Sequence, residues 1–313
     1  MSRLAPTFFC ALFLFVGLFA FAESDEQREN EKTSSPSKTL NSARKGMWQG
    51  GEVALESIPK SGGFGFDSLA ASAKLGLPAP IRGHFLLISP SFAWRDVDLS
   101  SSQFLQRDEL TLYSVGTNVA YVVPRSKRLL YNVAVGVSWN GDGRASDGEA
   151  VQVFGTGVAQ WAPSDVWKWT LGLAYSNNID WGVVPIMGAS WTPNEDWRVD
   201  LTFPAPKVAR RLDILDASEK TSYWLYCGGG VAGFSGVFEP ETESASRSVA
   251  KVKYSGWRLS TGLERKTAQG IGGAVEAGAT FGQKYELDSL QGRYWREKRR
   301  PGANLLLKTK VAF

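Results

Sequence analysis

The chain has 313 residues, 43% of them hydrophobic and 21% charged, with a formal net charge of +4 and two cysteines. A charge that small excludes a nucleic-acid partner on electrostatic grounds, and 33 Gly, 12 Trp and 17 Phe among short alternating segments exclude a helical body. The cysteine count excludes a disulfide-stapled domain, because Cys10 lies in the leader and Cys227 is left without an internal partner.

Residues 1–22 read as a secretory signal peptide. Arg3 supplies the positive start, Phe8 to Phe21 the apolar stretch, and Ala20-Phe21-Ala22 a small-x-small cleavage site. The apolar run is shorter than the roughly 20 residues of a spanning helix. Cleavage near Ala22 removes Arg3 and lowers the charge to +3. Residues 23–46 contain no aromatic residue, with an acidic first part and a basic end at Arg44 and Lys45. Such a segment cannot bury enough surface to fold alone and is expected to be a disordered periplasmic tail.

From residue 47 to the end the chain breaks into segments mostly ten to fourteen residues long, near the roughly 9 to 11 that a tilted strand needs to cross a bilayer. Candidate strands cover 47–58, 67–77, 83–94, 109–123, 129–139, 150–161, 167–177, 182–192, 197–203, 220–231, 249–263, 271–283 and 302–313. Short turns alternate with mostly longer loops, notably 95–108, 140–149, 235–248 and 284–301, which is the pattern of a barrel inserted from the periplasm. Thirteen strands would leave the chain ends on opposite sides. The stretch around Pro204-Ala205-Pro206 therefore reads as a short up-and-down pair with proline at its turn. The predicted fold is all-β: a closed antiparallel transmembrane up-and-down β-barrel of about twelve strands, with fourteen as the variant.

His84, the one histidine, precedes Phe85-Leu86-Leu87-Ile88 beside a short turn. Barrel hydrolases need a histidine with an activated Ser or Asp near the outer rim, so it reads as an ordinary interface residue and the chain as no enzyme. One His, one mature Cys and no clustered carboxylates predict no metal and no cofactor. The turns Trp161-Ala-Pro163-Ser-Asp-Val-Trp167 and Trp191-Thr-Pro193-Asn-Glu-Asp-Trp197 repeat one pattern. Their four rings suit a periplasmic aromatic girdle, where indole meets both lipid and water.

Side chains alternate across a strand. After Trp167, one row holds Trp169, Leu171, Leu173 and Tyr175, and the other Lys168, Thr170, Gly172, Ala174 and Ser176. The same alternation assigns Arg198, Asp200, Arg258, Glu276, Lys308 and Lys310 to the lumen with Lys168. Gly228-Gly229-Gly230 and Gly272-Gly273 fall within strands, as bends or small lumen positions, and no helix follows them to make a dinucleotide site. The loop 284–301 carries Tyr294-Trp295-Arg296-Glu297-Lys298-Arg299-Arg300, a basic, aromatic stretch suited to lipopolysaccharide phosphates. The last strand ends on Phe313 with Val311 and Leu307 in the same row. That ending resembles the C-terminal signal that outer-membrane proteins present to the barrel assembly machinery.

The segment Asp180 to Pro206, with Val184-Pro185-Ile186-Met187-Gly188, Trp191-Thr-Pro193, Trp197 and Phe203-Pro204-Ala-Pro206, resembles a family of uncharacterised bacterial outer-membrane barrels, a domain-of-unknown-function family. The similarity extends from about residue 83 to the end and is weaker before. It implies a barrel in a Gram-negative-type outer membrane and transfers no catalytic residue. The leading expectation is a barrel with the lipid bilayer as partner, either a narrow porin-like channel for small solutes or a structural barrel. A secreted soluble β-protein that binds glycans through exposed tryptophans is the alternative, and a lipid-acting barrel enzyme the third.

Overall fold

The computed structural model describes residues 47–99, 109–145, 147–177, 182–212, 221–240, 249–267, 271–290 and 296–313. The expected leader, the expected tail at 23–46, and Tyr294 and Trp295 of the basic loop lie outside the described residues.

Alternating apolar and small or polar side chains build fifteen strands: β1 (Trp48–Ser61), β2 (Phe64–Pro78), β3 (Phe85–Asp98), β4 (Glu109–Ser126), β5 (Leu129–Gly141), β6 (Val151–Trp161), β7 (Trp167–Ser176), β8 (Val183–Asn194), β9 (Trp197–Asp200), β10 (Lys207–Arg211), β11 (Thr221–Phe238), β12 (Ala250–Thr267), β13 (Gly272–Ser289), β14 (Arg296–Arg299) and β15 (Asn304–Ala312). Each pairs antiparallel with its sequence neighbour from β1 to β13, and β15 closes the sheet between β13 and β1. The barrel has fourteen strand positions, because β14 only extends the edge of β13 at Tyr285–Asp288, beyond the stretch that β15 occupies. The start of β1 and the end of β15 lie at one rim, here called the terminal rim; the opposite end is the loop rim.

Twelve long strands and one short pair is therefore the arrangement. In the short pair the β8–β9 ladder stops where Phe203 N–H donates to Met187 O, and the β10–β11 ladder stops where Gly229 N–H donates to Pro206 O. The Phe203–Pro206 turn sits partway up the wall, and the prolines supply no N–H there. Above it the edge of β11 finds other partners. Val237 pairs with Gly141 of β5, and Gln152 Nε2 donates to Ser235 O and Oγ at 3.2 and 2.7 Å.

Several strands run further toward the loop rim than their bilayer-length expectation. β3 continues to Asp98, β11 to Phe238 and β13 to Ser289, taking residues from segments expected as loops. A β-bulge at Gly282, with φ +58, re-aims β13 so that Gln283, Tyr285 and Leu287 turn inward. Toward this rim Ile58, Phe64, Phe66, Phe234, Tyr254, Tyr285 and Leu306 form a buried core contributed by β1, β2, β11, β12, β13 and β15. The rings of Tyr254 and Tyr285 stack on Phe64 at 4.8 and 5.3 Å.

The outer face inverts the usual order. Val119, Val135, Leu171, Leu173, Leu201, Leu259, Val275 and Leu305 are exposed at points around the barrel. A contiguous apolar belt of this extent marks a face built to meet lipid or another apolar surface. Aromatic residues bound it on both sides: on β7, Trp167 lies near the terminal rim and Tyr175 near the loop rim, about 26 Å apart along the strand.

Candidate functional site: a spiral of charge inside the barrel

The sheet register places inward-facing charged residues in one continuous row. Arg198 of β9 lies opposite Ala209, Ala209 opposite Tyr226, Tyr226 opposite Gly262, and Gly262 opposite Glu276. The row goes on through Lys308, Glu56 and Ser68 to Arg95 of β3. Because the strands are staggered, the row climbs. Arg198 is the second residue of β9 at the terminal rim, whereas Arg95 is the eleventh of fourteen in β3, beneath the aromatic core.

Opposite charges alternate along the upper part of this row, in the order Arg95, Glu56, Lys308, Glu276. A fifth member joins from β12, since Arg258 Nη1 lies 3.5 Å from Glu56 Oε2 although β13 and β15 separate their strands. Such a contact requires both side chains to point into the barrel. Glu276 accepts hydrogen bonds from Tyr226 Oη at 2.9 Å and from Ser260 Oγ. Gly262 makes room for that tyrosine: a Cβ there would lie 2.6 Å from the Tyr226 ring. Arg95 ends the series with its guanidinium 5.3 Å from the centre of the Phe234 ring.

Accessibility of the charged side chains falls along the barrel axis. The side chains of Lys207 and Lys310 keep 30% and 26% of their exposure although they point inward, Arg258 keeps 15%, and Glu56 keeps 1%. Among these charged side chains exposure is greatest toward the terminal rim and least at Glu56, with the aromatic core beyond; beside them, near the same rim, Val122, Leu130 and Trp224 are buried in small apolar clusters. Lys310 pairs with Glu52 at 2.9 Å near the mouth, and Glu264 takes both Lys207 and Lys266 at 3.4 and 3.5 Å.

All seven residues expected in the lumen lie on the inner rows. Arg258, Glu276 and Lys308 meet in the spiral, and Lys310 reaches Glu52. Arg198 stacks on Trp224 with Cζ 3.6 Å from the ring centre, while Asp200 Oδ1 accepts from Thr202 N–H at 2.9 Å. Lys168 stands apart on β7 opposite Ser190. Sequence reasoning missed Glu52, Glu56, Arg95 and Lys207, which share the same period-two rows. Trp161, Trp167, Trp191 and Trp197 are all exposed at the terminal rim, with Trp167 and Trp191 stacked 5.8 Å apart. Phe313 is exposed too, 6.2 Å from the Trp48 ring, in one outward row with Leu307 and Val311.

His84 sits in the turn before β3 with Nδ1 2.6 Å from Tyr121 Oη. Cys227 is exposed on the outer row of β11. At the loop rim, Lys284 and Lys298 reach Glu286 at 3.1 and 2.9 Å, and Arg296 reaches Asp288 at 2.9 Å. Burial of the Glu286 carboxyl opposes its ionisation, but the hydrogen bonds from Lys298 and Lys284 outweigh it and hold its pKa below the ordinary value. Among the described residues no group of three or more His, Cys, Asp and Glu is placed to hold a metal ion.

No family model and no curated protein matches the chain. Among solved structures it is similar to a chain from a study of the mechanism behind the in-meso crystallization of membrane proteins. That likeness is 9% identical, covers 85% of this chain and 83% of that one, and has a TM-score of 0.29, too low to carry weight here.

Proposed function

We propose that this protein is a monomeric outer-membrane β-barrel whose lumen is a periplasm-facing vestibule sealed at the outer end, acting as a structural or solute-holding barrel and not as an open channel. One observation carries the reading: the outward rows are apolar and exposed while the inward rows hold the charges, with a buried aromatic core across the loop side of the interior. Lipid is the solvent that makes this inversion stable. The terminal rim then faces the periplasm and the loop rim the exterior. The C-terminal row of Phe313, Val311 and Leu307 is its address to the barrel assembly machinery. The quoted Val184–Gly188 and Phe203–Pro206 segments are the reason to group it with the uncharacterised outer-membrane family.

The basic residues of the last loop fit lipopolysaccharide phosphates at the outer surface, although Lys284, Arg296 and Lys298 already meet Glu286 and Asp288. No catalytic role is assigned to any residue, since His84 faces a tyrosine and not an activated nucleophile.

Two measurements test the proposal together. The refolded protein is expected to migrate faster unheated than boiled on a denaturing gel, and to give no steady conductance in planar bilayers. A protein that stays soluble without detergent and never shifts defeats the barrel in a membrane. A steady open-channel current defeats the seal.

A further inference from the structure

The wall of the barrel is incomplete at one place. β9 and β10 end at the Phe203–Pro206 turn, while β8 runs on from Met187 to Val183 and β11 from Gly229 to Phe238. Above the turn β8 pairs with β7 and β11 with β12, and β11 meets a second neighbour only where Gln152 and Gly141 reach Ser235 and Val237. Among the described residues no strand fills the interval between. The turn itself is drawn to the inner side. A Cβ on Gly188 or Gly230, both in inward rows, would lie 2.4 Å from Thr202 Cα or 3.2 Å from Pro204 O. A notch is thereby left in the outer surface of the wall.

The notch has a definite depth. Val183 lies opposite Tyr175 and Trp191 opposite Trp167, the aromatic residues that bound the belt, and Met187 stands midway between them. It therefore occupies the loop-side half of the belt, the thickness of one leaflet. Exposed Val183, Pro185, Met187 and Leu201 form one lip. On the other side Val231 and Gly233 are only partly covered, whereas Ser235 and Val237 beyond them are buried.

Its edges differ in chemistry. Alternate residues of a strand turn their N–H and C=O to the same edge. Ala189 O and Met187 O accept from the β9 side, so Pro185 comes next on that edge, and it has no N–H to leave unpaired. On β11, Gly229 N–H meets Pro206 O, so Val231 and Gly233 present their N–H and C=O next, with no strand opposite. Backbone donors at such a depth need an acceptor. Gly233 lies four residues beyond Gly229, as Val183 lies four beyond Met187, so it sits at the level of the loop-side aromatic boundary. That is where the ester or amide carbonyls of a bilayer lipid lie, with their acyl chains running inward past Val231. A peptide strand fits less well, because Pro185 interrupts the ladder on one edge.

We propose that the notch between β8 and β11 is a lipid-binding site, seating one acyl chain of a lipid from the loop-side leaflet, with the ester or amide carbonyl of that chain accepting from Gly233 N–H. The site rests on the reading above, in which the apolar belt meets a bilayer.

Photolabelling of the refolded barrel in octyl glucoside micelles, doped with a phosphatidylcholine that carries a diazirine on one acyl chain, tests it. Labelling of Pro185 and Val231 should saturate as the lipid is raised and fall when unlabelled phosphatidylcholine competes. The exposed Leu259 and Val275, elsewhere on the belt, should stay at the background of the micelle. Val231→Trp, which sets a large ring at the notch, should cut the labelling of Pro185 about tenfold, and Val275→Trp should leave it unchanged. Labelling spread evenly around the belt, or untouched by Val231→Trp, overturns the site. A barrel that is dimeric in micelles and unlabelled at the notch gives it to a strand of a second copy and overturns it too. If Val231→Trp fails to fold, the wild-type map decides, and even labelling there is fatal to the site. A heat-modifiable, non-conducting barrel with even labelling would leave the proposed function standing and remove only the lipid site.

Discussion

At the scale of single residues, the energetic focus is Glu56. Its carboxylate is enclosed and faces Arg258 across the barrel, with Lys308 beside it on β15 and Arg95 two strands away. Removing one partner of such a network leaves buried positive charge uncompensated. Glu56→Ala is therefore expected to destabilise the barrel by about 3–5 kcal/mol, read from urea unfolding in lipid vesicles. A change under about 1 kcal/mol would mean that the network is hydrated enough to tolerate the loss. Gly262 gives an independent check. Gly262→Val places atoms where the Tyr226 ring lies and should displace its hydroxyl from Glu276, costing about 1–3 kcal/mol by overpacking. Gly278 is constrained differently, since a Cβ there meets Leu259 O and Ser260 of the neighbouring strand's backbone.

At the scale of elements, the proposed membrane setting divides the strands into a part that meets lipid and a part that rises beyond it. β7 was legible in the sequence because both its rows are clean: tryptophan, leucine and tyrosine outward, and Lys168, threonine and small residues inward. β1 was less so. Its inner row mixes Glu52 and Glu56 with Ala54 and Ile58, and its outer row includes Ser57, so neither row announces its solvent. Arg95 escaped because Trp94-Arg-Asp-Val-Asp98 looks like the start of a polar loop. A strand beyond the bilayer can be polar outside and apolar inside, like any water-soluble sheet, and a template of membrane length stops short of it. The extension of β13 and β14 carries a pH dependence of its own. Glu286 has a pKa held below the ordinary 4.5, so its contribution is complete above that value. It is lost as the pH falls through the lower folded value. Hydrogen exchange of β14 is expected to speed up on acidification into that range, and Glu286→Gln should exchange faster at neutral pH and lose the acid step.

For the whole molecule, the proposed seal at the loop side has a direct test by mutation. Phe64, Tyr254 and Tyr285 stack together within the loop-side core, so replacing all three by alanine should open a path between the charged vestibule and the exterior. Conductance steps are expected in the triple variant and absent in the parent; silence in both would place the block elsewhere. The short β9–β10 pair, anticipated from Pro204 and Pro206, leaves β11 to close against β5 and β6 instead of a full-length neighbour. That inward lean was not legible, because Gln152–Ser235 and Val237–Gly141 join residues 83 and 96 positions apart with no local signal.

The most direct measurement is spin-label accessibility along β7 of the folded protein in lipid vesicles, in a Cys227→Ser background with single cysteines at 170, 171, 173 and 174. Labels at Leu171 and Leu173 should collide freely with oxygen dissolved in the bilayer, while those at Thr170 and Ala174 should be shielded from it. Equal accessibility at all four positions, or the reverse order, would contradict a barrel whose greasy face meets lipid and whose charged face is enclosed.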